Sequence, residues 1–107
     1  MVARSYAEAA LAAYRDALTV FPQDSRTLLQ AGWILARLGR FDEAGLMFDS
    51  AVTWDPKNGP IRTYQGHYLR LKGDRAAAAA AYRAALALGP NPEAEKSLRE
   101  IDAAEPR

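Results

Sequence analysis

An all-α fold of stacked antiparallel helix pairs is what this sequence predicts, on three observations: a 34-residue period, an apolar half dominated by alanine and leucine, and helix-ending punctuation in phase with that period. Pro22, Pro56 and Pro90 stand 34 residues apart, and the residues before them keep step: Ala17, Ala51 and Ala85, then Tyr14, Phe48 and Tyr82, then Ala10, Ala44 and Ala78. Gly32, Leu35 and Gly39 return as Gly66, Leu69 and Gly73. Alanine and leucine favour helix, while Val, Ile and Thr are sparse, so a large sheet is not expected.

The elements follow in chain order. A first helix over 4–19 carries Ala10, Tyr14 and Ala17, with no helix expected before it to receive them. Asp24 is placed to cap a helix over 25–38, which Gly39 ends in a left-handed turn. Asp42 and Glu43 open a third over 41–54, where carboxylates meet the positive end of the helix dipole. Asn58 and Pro60 start a fourth over 59–71, and Gly73 closes it. The alanine run 76–81 sits inside a fifth, over 74–88, where small side chains allow close packing. Asn91 and Pro92 start a sixth over 92–103. Its Glu93, Glu95, Lys96, Arg99, Glu100 and Asp102 make a charged outer face around Leu98 and Ile101, as in a solubilising cap.

A 34-residue period with small, aromatic, small and proline in that order resembles the tetratricopeptide repeat. The second copy reads Leu28, Ala31, Gly32, Leu35, Ala44, Phe48, Pro56. The third reads Arg62, Gln65, Gly66, Leu69, Ala78, Tyr82, Pro90 and departs from the family pattern at its first two positions. The resemblance implies one domain over 1–107: a half repeat at 4–22, full repeats at 23–56 and 57–90, and a capping helix at 91–104. Together these would form a right-handed superhelical stack of about two and a half repeats. It also implies a concave groove lined by the first helix of each repeat, in which a peptide segment of a partner binds. The expected lining is Arg26, Leu29, Trp33, Ala36 and Arg37, with Thr63, His67 and Arg70 one period on.

Trp33 is the sharpest of these, a large apolar surface with one donor, though packing over neighbouring helices is the competing reading. Trp54 is expected in the core, because Val20 and Leu88 stand at its register, so Trp33 should be the more accessible of the two. Arg26, Arg37 and Arg70 form either a basic lining for carboxylates or a solvated helix face. Family members that hold the C-terminal carboxylate of heat-shock chaperones use Lys and Asn in the groove. This chain has Leu29 or Thr63, and Trp33 or His67, at those places, so that activity is not expected.

The 107 residues carry a net charge of +1, which gives no bulk electrostatic reason for a nucleic-acid partner, and with no cysteine there is no thiolate chemistry. No apolar run reaches the roughly 20 residues of a membrane span, and the N-terminus does not read as a signal peptide, leaving cytoplasm as the default compartment. His67 has no second His, Cys or carboxylate at ligand spacing, so no metal or other cofactor is expected. With no nucleophile–base constellation either, the chain reads as a binding scaffold and not an enzyme. A small secretion chaperone or assembly factor is one concrete version. The alternatives are a structural unit that self-associates weakly through its N-terminal end, exposing Leu11 and Ala13 there, and a regulatory segment of a larger protein.

Overall fold

The computed structural model describes the backbone of residues 2–104 and the side chains of residues 4–104. All regular structure among them is helical: α1 (Val2–Val20), α2 (Ser25–Arg37), α3 (Phe41–Trp54), α4 (Gly59–Lys72), α5 (Arg75–Leu88) and α6 (Pro92–Ala104). They fall into two compact units, residues 1–56 and 57–107.

The boundaries are set by local chemistry. Asp24 Oδ1 accepts from the backbone N–H groups of Arg26 and Thr27 at 3.2 and 3.4 Å, satisfying two donors that α2 leaves unpaired. Asn58, Asp74 and Asn91 do the same for α4, α5 and α6, accepting from Ile61, Ala77 and Ala94 at 3.2, 3.1 and 3.0 Å. At the other end, Gly39 and Gly73 take φ of 79° and 95°, the left-handed turn that a side chain would strain. Each cap contributes about 1 kcal/mol.

In the first unit α2 lies against α3 across Gly32. A Cβ there would stand 3.1 Å from the Phe48 ring, so the glycine is what lets the ring seat fully. Ala44, Phe48 and Ala51 are accordingly 0% exposed. At the same register on α1 the contact is incomplete: Ala10 and Tyr14 are half-buried and Ala17 is exposed. Ala13 is exposed too, but Leu11 is fully buried, against expectation: at about 100° per residue it stands to one side of the Ala10, Tyr14, Ala17 face. Arg40 binds Glu43 through two hydrogen bonds of 2.9 and 3.0 Å, and Arg15 of α1 reaches the same carboxylate at 3.1 Å. The Arg40 contact holds the Glu43 carboxyl below its ordinary range.

In the second unit α4 and α5 pair more tightly. A Cβ on Gly66 would come within 2.5 Å of the Tyr82 ring. Ala78, Ala79, Tyr82 and Ala85 of α5 form one core with Ala94 and Ile101 of α6, and Leu69, Leu86 and Leu98 pack on it. The sixth helix is therefore charged outside and anchored inside. Fully burying an apolar side chain of the size of Ile101 contributes about 1.5–3 kcal/mol.

Trp54 corrects the sequence reading: it is 51% exposed, whereas Trp33 is half-buried. The register was informative but its meaning was inverted, since Val20 and Leu88 at the same phase are also exposed, at 67% and 42%. Each is the last residue of its helix, where the side chain runs past the face that packs.

Candidate interaction surface

The expected lining of α4 is committed to the chain itself. Thr63 is 1% exposed; its Oγ1 donates to the Gly59 carbonyl at 3.2 Å and accepts from Asn91 Nδ2 at 2.8 Å. One turn on, His67 Nε2 meets Glu93 Oε1 at 2.9 Å, and Nδ1 meets the Tyr82 hydroxyl at 2.7 Å. A carboxylate only accepts, so Nε2 carries the proton and, in the neutral ring, Nδ1 accepts from Tyr82. Arg70 Nη1 donates to Glu100 at 3.2 Å. Asn91 precedes α6, and Glu93 and Glu100 lie on it, so Thr63, His67 and Arg70 all serve to hold α6.

The Tyr82 hydroxyl joins this network through His67, and Arg70 and Ser97 stand near enough to favour its ionised form. Burial pushes its pKa up, and those two neighbours oppose the shift only in part. Burial also works against the charge of Arg70, but the Tyr82 and Glu100 contacts outweigh it and raise the guanidinium's pKa.

On α2 the expected row divides. Leu29 and Ala36 are 8% and 2% exposed and belong to the packing, as does Thr63 on α4, so these three do not line an open surface. Arg26 and Arg37 are exposed, and Trp33 is half-buried between them. Gln30, which the sequence reading passed over, completes the row: 26, 30, 33 and 37 follow the i, i+4, i+7, i+11 spacing of a single helical stripe. That spacing was available in the sequence, but adjacent faces cannot be ranked until burial is known. Arg26 and Arg37 enter no ion pair among the described residues, unlike Arg70.

Beside this stripe, α1 and α2 enclose an open cleft of about 560 Å³, lined by Arg4, Tyr6, Ala7, Ala10, Ile34, Arg37 and Leu38. Its floor is apolar, and Tyr6 stands over it 73% exposed. No group of three His, Cys, Asp or Glu side chains suited to a metal occurs among the described residues, and no helix there is long and apolar enough to cross a membrane.

Comparison with known proteins agrees with this architecture. A family model described as tetratricopeptide repeat matches residues 3–65. No curated protein matches the sequence. A solved structure, the first TPR of Spaghetti (RPAP3) bound to HSP90 peptide SRMEEVD, superposes with a TM-score of 0.84. The match covers 96% of this chain and 82% of that one, at 21% sequence identity. At that identity the likeness concerns the fold alone.

Proposed function

The chain belongs to the tetratricopeptide repeat family, and on that footing we propose that it is a protein-interaction module that takes a peptide segment of a partner along the exposed stripe of α2. The observation that carries this reading is the arrangement Arg26, Gln30, Trp33, Arg37, with two exposed guanidiniums that enter no ion pair among the described residues flanking an aromatic. At 1.5 Å per residue the two arginines are about 16 Å apart along the helix, the reach of a short extended segment. Such a segment would carry carboxylates at its ends and an apolar residue between them. Guanidiniums favour carboxylates through paired hydrogen bonds, and a rigid helix presents them without an ordering cost.

The bound peptide of the solved relative belongs to that protein. Here Leu29 and Thr63, at positions where chaperone-binding members use polar groove residues, are buried, so the exposed stripe of α2 alone sets the partner chemistry. The test is fluorescence anisotropy with an acidic-apolar peptide and its lysine-substituted counterpart. Arg26→Glu is expected to weaken the acidic peptide at least about tenfold. Equal binding of both peptides, or indifference to Arg26→Glu, would discard the reading.

A second reading, assembly of the chain with a copy of itself or with a larger protein, draws on the exposure of Ala17 and Tyr6 on α1. Sedimentation across a concentration series decides the isolated-chain version of it.

A further inference from the structure

The repeat contains its own template for what covers the face of α1. On α3 and α5 the order alanine, aromatic, alanine receives a helix that presents a glycine to the ring and a leucine three residues later: Gly32 and Leu35 in one unit, Gly66 and Leu69 in the other. Covered in this way, Ala44, Phe48, Ala51, Ala78, Tyr82 and Ala85 are at most 1% exposed. Ala10, Tyr14 and Ala17 repeat the order on α1, yet the first two are half-buried and the third is exposed.

The cleft beside that face specifies charge as well as shape. Its floor is Ala7, Ala10, Ile34 and Leu38, and its rim holds Arg4 and Arg37, neither of which enters an ion pair among the described residues. Two guanidiniums over an apolar floor repel a basic segment and reward carboxylates placed at the edge of an apolar face.

A second copy is a poor donor of such a helix. Its α2 and α4 already cover α3 and α5. Its α6 stands one period after α4, but Glu100 occupies the register of Gly32 and Gly66 and is paired with Arg70. With Glu100 at that position, α6 cannot approach an aromatic ring as α2 and α4 do.

We propose that the α1/α2 cleft seats a helix from a partner polypeptide, one that carries glycine or alanine three residues before leucine and acidic residues facing Arg4 and Arg37. The proposal rests on the interaction-module reading; its site shares Arg37 with the α2 stripe and is otherwise built from α1, Ile34 and Leu38.

The experiment uses the full chain and a labelled synthetic peptide copying residues 25–38, with Arg26→Glu and Arg37→Glu in the peptide to make it acidic. Anisotropy should show saturable micromolar binding. The unmodified basic peptide, and an acidic peptide also carrying Gly32→Leu, should each bind at least about tenfold more weakly. In the protein, Ala7→Glu should abolish binding with helicity retained, and Arg37→Glu should invert the preference towards the basic peptide. Absence of saturable binding, or a charge preference that survives Arg37→Glu, overturns the proposal. Loss on Arg26→Glu with Ala7→Glu unaffected moves the site to the α2 stripe and also overturns it. A concentration-dependent dimer that the acidic peptide does not dissociate assigns the seat to a second copy instead. Failure of the α2 reading alone would leave the Ala7→Glu result standing.

Discussion

The pairs α2/α3 and α4/α5 are built on one register and solve the same packing problem with different chemistry. In the first, Phe48 fills the gap left by Gly32, and the residue following the glycine is Trp33. In the second the ring is Tyr82, which crowds Gly66 more closely, and the residue after the glycine is His67. A hydroxyl in place of a hydrogen lets Tyr82 reach His67, with Arg70 and Ser97 as polar neighbours. That network reaches α6 through Glu93 and Glu100. One pair is an apolar joint, and the other is a joint that also holds a third helix. The repeat thus conserves shape at the ring position while leaving its polarity open for local use.

Removing the ring is the severest way to break the comparison. Phe48→Ala and Tyr82→Ala should each cost about 3–5 kcal/mol in chemical denaturation, since both are fully buried. A melting curve unchanged by either would refute the register itself. Tyr82→Ala should in addition release α6, read as faster amide exchange at Ala94 and Ile101, which Phe48→Ala leaves alone.

The glycines separate the two joints by distance. Gly66→Ala should cost about 1–3 kcal/mol, because the added methyl meets the Tyr82 ring at 2.5 Å. At Gly32 the contact is 3.1 Å, and the helix preference for alanine over glycine, about 1 kcal/mol, offsets most of the crowding. Equal losses from the two substitutions would show that ring approach does not distinguish the pairs.

Polarity is the next and smaller lever. Tyr82→Phe should cost about 1–3 kcal/mol by leaving the partners of the hydroxyl unmatched. The same hydroxyl makes the second joint sensitive to alkali. Its folded pKa is raised by burial, so its contribution is intact below the ordinary tyrosine value of about 10. As pH rises above that value the unfolded chain ionises first and stability falls until the folded pKa is passed. Stability measured from pH 8 to 11 should therefore fall more steeply for the natural chain than for Tyr82→Phe. A parallel decline in both would remove Tyr82 as the cause.

The mildest test uses the tryptophans. Iodide or acrylamide should quench the Trp54 that remains in Trp33→Phe more readily than the Trp33 that remains in Trp54→Phe, following their exposure. The reverse order would return Trp54 to the core and Trp33 to an open surface.

Local chemistry and periodicity were readable along the chain without coordinates. Asp24, Asn58 and Asn91 as caps, Gly39 and Gly73 as left-handed ends, and the Ala, aromatic, Ala triads are each determined by residues within a turn or by a repeat in phase, and the six helices follow from them. Tertiary contact alone decided which faces stay open. Thr63, His67 and Arg70 read as a groove lining until Asn91, Glu93 and Glu100, 26 to 30 residues further on, turned out to meet them. Leu11 became core for the same reason, whereas Trp54 is surface because it ends its helix. A period assigns equivalent places in equivalent helices, whereas burial depends on which neighbour lies across from each place, and that neighbour differs from one described helix to the next.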